Sequence, residues 1–348
     1  MLSAPLRLGF AVKVLGQPGL KSNDSRRWQN KPHLRVSLEY LRAIFDYLRS
    51  RRITMYRISS DLAPYVTHPD MPQFHGQIRE CARELEQMGR LARQLDLRLS
   101  FHPSQYVVLN SPDRTLVEKS ARDLAAQSEM LDRMGLGPEA VVVIHTGAAY
   151  GARSEGRRLW VRNFKRLPAH VRRRLVLEND DQRFSAADVL AIHEETGVRL
   201  VFDFQHFWCY NPERLELAAT LRRFLASWSD RVRPKVHYSS PRTEMREVKR
   251  RNRQTGKQET VLQAPVWIGH ADFVNPFEFI QTLRLLGPPA FDVMLEAKAK
   301  DLALLRLRRD LATYGEDLAP HFGISPEREA GQPLPLEAIP AGEALVEA

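Results

Sequence analysis

The sequence has few of several things, and each shortage excludes a class. Cysteine occurs twice in 348 residues, as Cys81 and Cys209. Two thiols build no disulfide framework and their spacing fits no metal knuckle, so both read as reduced packing residues of a cytoplasmic protein. No stretch approaches the roughly eighteen uninterrupted apolar residues that span a bilayer. The opening run, Met1 to Val14, carries Arg7 and Lys13 among its apolar residues, so it reads as a strand and not as a secretory signal. The glycine-rich first turn common in doubly wound nucleotide-binding sheets is missing. Acid is also in deficit: 42 Asp and Glu face 52 Lys and Arg, a net charge of +10 with a pI near 9.8. The stretch from Ser325 to Ala348 holds five Glu and one Arg, so the remainder carries +14. A body so basic attracts polyanions within about a Debye length.

What is present is a regular alternation. Eight short runs rich in Val, Ile, Leu and Phe predict strands: Leu6–Val14, Ile53–Ser59, Leu97–His102, Ala140–Thr146, Arg174–Glu178, Arg199–Asp203, Lys235–Ser240 and Phe291–Glu296. Helical patterns fall between them at Leu34–Ser50, Gln77–Leu95, Thr115–Met134, Leu159–Val171, Ala186–Glu195, Glu213–Trp228, Pro276–Leu286 and Asp301–Leu311. Near-continuous apolar strands alternating with helices mean a parallel sheet covered on its outside. Eight such units predict an α/β fold of the (β/α)8 TIM-barrel kind in one domain, residues 1–324. A doubly wound open sheet usually needs fewer units. Two segments break the pattern. Arg242 to Lys257 is a basic insertion after the seventh strand, with seven Lys or Arg against two Glu, and is expected to be a flexible cationic segment. The Pro-, Glu- and Ala-rich stretch 325–348 is expected to be a disordered tail.

The polar residues gather at the C-terminal ends of the predicted strands, the face on which barrels build their sites. His102, His145, Glu178 and Asp203 stand there, with His206 three residues after Asp203. Lys235 and His237 share the seventh strand, Glu296 ends the eighth, His68 follows the second, and His270 with Asp272 lies beyond the insertion. Each alone has an ordinary reading: a histidine that only satisfies a hydrogen bond, or a carboxylate that caps the next helix. Together they do not, because clustered carboxylates would repel and buried histidines would be poorly solvated. Divalent cations resolve both problems; mixed imidazole and carboxylate ligands suit Zn²⁺ or Mn²⁺, and all-oxygen sites suit Mg²⁺. The candidate ligands exceed the capacity of one ion, and a carboxylate such as Glu178 can bridge two. Clustered cations on a basic body predict phosphodiester chemistry on a nucleic acid.

At these positions the chain resembles the UV damage endonuclease family, and more distantly endonuclease IV and the xylose-isomerase-like barrels. The likeness runs from about Leu6 to Phe322. It is carried by Ser59-Ser60-Asp61-Leu62 leading to His68-Pro69, Phe101-His102-Pro103-Ser104-Gln105-Tyr106, His145-Thr146-Gly147 and Leu177-Glu178-Asn179-Asp180. Asp203-Phe204-Gln205-His206, Lys235-Val236-His237, His270-Ala271-Asp272 and Glu296-Ala297-Lys298 complete it. The resemblance implies ATP-independent incision of damaged double-stranded DNA immediately 5′ to a photoproduct or other helix-distorting lesion. It implies 3′-hydroxyl and 5′-phosphate products and a manganese-favouring centre of three ions. By that likeness His102, His145 and Glu178 hold one metal, Glu178, Asp203, His237 and Glu296 a second, and His206 with His270 a third. His68 is a ligand or a phosphate contact, and Lys235 is a lysine that can be chemically modified beside the metals. Gln105 and Tyr106 match a pair that probes the gap at the lesion.

The chain departs from the family pattern at Phe10, where the family often has Tyr and where the ring is expected still to stack at the lesion, and at Val14, often polar. The insertion is longer than the simplest members need, and Lys249, Arg250, Arg251 and Arg253 within it are expected DNA contacts. The competing readings are a metal-dependent sugar isomerase, an apurinic endonuclease of the endonuclease IV type, and a non-catalytic DNA-binding barrel. The isomerase would need neither the basic body nor the Gln105–Tyr106 pair. No membrane partner is expected, and a monomer is the expected state.

Overall fold

The computed structural model of the protein describes residues 4–148 and 150–330. The strands are β1 (Leu8–Ala11), β2 (Met55–Arg57), β3 (Arg98–Phe101), β4 (Val141–His145), β5 (Leu175–Glu178), β6 (Arg199–Asp203), β7 (Lys235–Tyr238), β8 (Pro241–Arg242), β9 (Arg246–Arg251), β10 (Gln258–Gln263), β11 (Val266–His270) and β12 (Asp292–Leu295). β1 to β7 pair in sequence order, and β12 closes the ring between β7 and β1. All eight barrel strands are parallel, as expected of a (β/α)8 barrel. Each expected strand run contains one of them.

The helices form where the apolar spacing placed them. Helix Leu34–Ser50 buries Leu34, Leu38, Leu41, Ile44, Phe45 and Leu48 along one stripe, and the His33 ring accepts its Arg35 N–H at 3.1 Å. Asp113 caps helix Arg114–Arg133 and Asn275 caps helix Pro276–Leu286. Ser185 and Asp188 form a capping box on helix Ala186–Thr196. Two expected helices are broken. Cys81 separates Gln77–Glu80 from Ala82–Gln94, and the segment after β4 divides into Arg153–Arg166 and Ala169–Arg174 at Pro168, whose missing N–H suits a new helix start.

Strands buried on both faces give no polar alternation, so packing has to reveal which positions face the lumen. Most of the core lies between strands and helices. A separate cluster joins Val141, Val143, Val176 and Val201 to Trp228 and Val232. These valines occupy alternate positions of β4, β5 and β6, in phase with His145, Glu178 and Asp203. The same period of two that fills the lumen with valine therefore aims the last residue of each strand inward at its upper rim.

Two regions differ from expectation. The basic insertion is a built ribbon: β9 and β10 pair antiparallel from Arg246↔Gln263 to Arg251↔Gln258, with Val248 opposite Val261. Cross-strand β-branched pairs favour this pairing, and Gly256 at φ 70° lets the chain turn back. The tail expected from Ser325 begins with a helical turn, Pro326–Ala330, whose buried Glu329 pairs with Arg308. Residues 331–348 lie outside the described residues.

Candidate metal centre

Strand register assembles the site. His145 stands opposite Glu178, and Asp203 opposite His237. After His145 the chain must turn tightly, and Gly147, at φ 117°, leaves no room for a side chain beside Asn110. A short helix missed in the sequence, Phe204–Cys209, starts directly from β6. Asp203 caps it through Oδ1, which accepts the His206 N–H at 2.8 Å, while Oδ2 is buried without a hydrogen-bond partner among the described residues. Oδ1 therefore caps the helix and Oδ2 is left over for another partner.

Five imidazoles and three carboxylates converge. The rings run His237, His102, His145, His206, His270, with successive centroids 5.9, 5.2, 5.6 and 5.9 Å apart. Glu178 lies at the middle, 2.7 Å from His237 Nδ1, 3.0 Å from His102 Nε2, 3.6 Å from His206 Nδ1 and 3.8 Å from His145 Nε2. Glu296 is 3.1 Å from His237 and 3.9 Å from His270. Ligand-bearing atoms close enough to share an ion fall into two groups, His102–Glu178–His237–Glu296 and Glu178–Asp203–His206, with Glu178 in both. This redraws the expected partition: His102 joins His237 and Glu296, and Asp203 joins His206, while His145 and His270 flank the groups. His68 is not brought in. Among the described residues no hydrogen bond or ion pair links it to the cluster; its Nδ1 accepts the Asp70 N–H at 3.3 Å and its carbonyl accepts from His75.

The electrostatics fit cations. His102 Nδ1 donates to the Pro103 carbonyl at 3.0 Å, so in the neutral ring Nε2 is an acceptor, facing a second acceptor, Glu178 Oε2. Two acceptors at that distance need a proton or a cation between them. His206 and His270 are held in the same way by the carbonyls of Asn179 and Glu296, as metal-binding histidines usually are. Burial, with Glu296 and Asp203 as neighbours, pushes the Glu178 carboxyl well above its ordinary range. Burial lowers His102 to about 4 and carries His145 and His237 well below the ordinary range. At neutral pH these rings are uncharged, the state in which an imidazole nitrogen can serve as a ligand. Burial would raise Glu296, but Arg57 foremost and the surrounding histidines hold it well below the usual carboxylate range.

Arg57 was not singled out in the sequence. It is buried on β2, 3.0 Å from His237 Nε2 through Nη2, and bonded to Glu296. Its signal was an arginine inside an apolar run, which becomes meaningful once its inward phase is known. Lys235, two residues before His237, is buried with no hydrogen-bond partner for Nζ among the described residues; burial, Arg57 and Arg98 push its amine well below the ordinary lysine range.

Outside this cluster, Gln105 and Tyr106 line an open pocket together with His145, His206 and Asp180–Arg183. Tyr106 is 75% exposed. Lys249, Arg250, Arg251 and Arg253 are exposed on the ribbon. Phe10 corrects an expectation: it is fully buried, edge-on to Tyr56 at 5.3 Å, and has no face to offer a base. Val14 is likewise buried.

The sequence pattern of UV-endonuclease UvdE matches residues 28–321. The chain belongs to the UvdE family. A UV DNA damage endonuclease of Bacillus velezensis is 33% identical over 269 residues, covering 76% of this chain and 77% of that protein. A UV DNA damage endonuclease of Bacillus cereus is 30% identical over 287 residues, with 80% and 82% covered. The crystal structure of SacUVDE superposes on this UvdE-family barrel with a TM-score of 0.71 at 27% identity, covering 89% of this chain and 99% of that one. No helix among the described residues is long and apolar enough to cross a membrane.

Proposed function

We propose that the protein is a metal-dependent, ATP-independent endodeoxyribonuclease that cuts damaged duplex DNA immediately 5′ to UV photoproducts and other distorting lesions, leaving 3′-hydroxyl and 5′-phosphate ends. The observation that carries this reading is Glu178, shared by both ligand groups and facing the acceptor nitrogen His102 Nε2 at hydrogen-bond distance. His102, Glu178, His237 and Glu296 would hold one cation, with His145 beside Glu178; Glu178, Asp203 and His206 would hold a second, and His206 with His270 a third. Mn²⁺ suits the mixed ligands, with Zn²⁺ or Mg²⁺ as alternatives. Divalent ions held there would supply hydroxide at neutral pH, neutralise the phosphate and stabilise the leaving oxygen.

The chain's own residues do the rest. Arg57 keeps Glu296 ionised and fixes the His237 ring through Nε2. Lys235 presents a neutral amine beneath the cluster, the state in which a lysine can be covalently modified. Gln105 and Tyr106, beside His145 and His206, enter the gap that a lesion opens, the amide bonding to base edges and the ring stacking. Lys249, Arg250, Arg251 and Arg253 lie along flanking phosphates, positioning the duplex without reading its sequence. His68 is assigned a phosphate contact.

Incision of a duplex carrying one cyclobutane pyrimidine dimer, with an abasic-site duplex and an intact duplex alongside, tests this directly. Cutting one phosphate 5′ to the dimer, restored by Mn²⁺ after chelation, is expected. Equal cutting with and without chelator, or cutting of the abasic duplex alone, would overturn it.

A further inference from the structure

Trp267 has a backbone that is fixed and a side chain that is not covered. Its carbonyl accepts from Gln205 Nε2 at 3.0 Å, and the Gly269 carbonyl accepts from the same nitrogen at 3.1 Å. Gln205 is buried, and its Oε1 accepts from the Ser239 hydroxyl. β11 is thereby bolted to the helix that carries His206 and ends at His270. Yet the Trp267 side chain leaves the residue 59% exposed, and Ile268 beside it is exposed as well. A regular strand sends consecutive side chains to opposite faces. Here β11 pairs with β8 only at Val266↔Arg242 and His270↔Pro241, with an irregular register between, and irregularities of this kind beside active sites re-aim side chains. Trp208, on the short helix, is exposed too.

We infer that the Trp267 indole is a stacking platform for a nucleobase left unstacked by a distorted duplex. The inference depends on the proposed action on DNA and extends it to a second aromatic contact, separate from Gln105 and Tyr106. An intact duplex hides its base faces and gives the indole nothing to cover; a base displaced at a lesion exposes one. The ribbon β9–β10, whose second strand leads into β11, carries the exposed cations Lys249, Arg250, Arg251 and Arg253. Aromatic rings combined with a cationic track are how proteins hold unpaired bases without reading sequence.

The test uses the full-length wild-type protein loaded with Mn²⁺, with the phosphate 5′ to the probe base replaced by an uncleavable methylphosphonate so that the strand stays uncut. The probe is a duplex with one extrahelical 2-aminopurine, compared with a fully paired duplex. The parent protein is expected to quench the extrahelical base and prefer that duplex. Trp267→Ala should abolish the quench and weaken binding to the bulged duplex roughly five- to a hundredfold, with paired-duplex binding unchanged. Trp267→Phe, which keeps a ring in place, should retain most of both signals. Undiminished quenching and affinity in Trp267→Ala would overturn the inference while leaving the DNA reading intact. Failure of the parent to bind either duplex would overturn that reading and the inference with it.

Discussion

The two ends of the barrel solve the problem of buried charge in opposite ways. At the lower end Asp292 is buried among arginines of the chain itself: Arg98 at 2.8 Å, Arg233 at 3.3 Å and Arg7 at 3.9 Å, with the Arg7 N–H donating at 2.9 Å. Arg98 in turn lies over the Trp228 ring at 5.5 Å. At the upper end lie three carboxylates, Glu178, Asp203 and Glu296; Arg57 contacts Glu296, and burial holds His102, His145 and His237 neutral. Among the described residues, Asp203 Oδ2 and His145 Nδ1 have no hydrogen-bond partners. Where a chain supplies its own counter-charges the cluster is structural; where it leaves them to be supplied, the cluster suits the ions proposed above. In barrels the lower face usually serves stability and the upper face chemistry.

The comparison breaks most sharply at Glu178. Glu178→Gln keeps the shape and removes the charge shared by both ligand groups, so incision of a dimer-containing duplex should be abolished while the fold persists. Near-normal incision in this variant would mean that the charge is not needed. Because the folded-state carboxyl is raised, the folded protein binds a proton that the unfolded chain has already released. Without metal the wild type should therefore lose stability as pH rises through the ordinary carboxylate range, relative to Glu178→Gln. Thermal unfolding of both chelated proteins between acidic and neutral pH checks this sign.

Asp292→Ala makes the opposite test. It strands buried Arg98 without its partner and should cost about 3–5 kcal/mol of stability, while the folded fraction still cuts DNA. Denaturant melts paired with incision per folded molecule would separate the two, and lost chemistry at full stability would erase the distinction between the ends.

Two further changes sharpen the division within the upper end. Neutralising Lys249, Arg250, Arg251 and Arg253 together should weaken binding to all DNA alike and flatten the dependence of log affinity on log salt by about two to four units, at a slope near 0.9 per phosphate contact. Cutting at saturating DNA should stay the same. A wild-type salt slope would show that the ribbon touches no phosphate. The smallest effect is expected from Gln105→Ala with Tyr106→Ala. Losing the stacked ring should remove about 1–3 kcal/mol of preference for damaged over intact duplex, with metal content intact. Unchanged selectivity in competition binding would leave the pair a structural role only.

Much of the upper end was legible in the sequence because polar residues at the ends of apolar parallel strands stand out one by one. Glu178, Asp203, His237 and Glu296 could be read that way. The phase of each strand could not, since strands buried on both faces show no alternation. That is why Arg57 was missed, and why the grouping of ligands had to come from register. Phe10 failed for a related reason: position in a motif says nothing of which way a side chain turns, and packing against Tyr56 consumes this one. The ribbon hid because Arg246–Arg251 is mostly charged, and its strand character rests on the Val248–Val261 pairing with a segment not considered together with it.

The most direct measurement is the metal content of the full-length protein, stripped with chelator, titrated with Mn²⁺ and freed of unbound ion. More than one Mn²⁺ per chain is expected for the wild type, falling below one in Glu178→Gln because both groups lose their shared ligand. A wild type that retains no stoichiometric ion, or a variant that retains as many as the wild type, would contradict the assignment of the upper end as a metal centre.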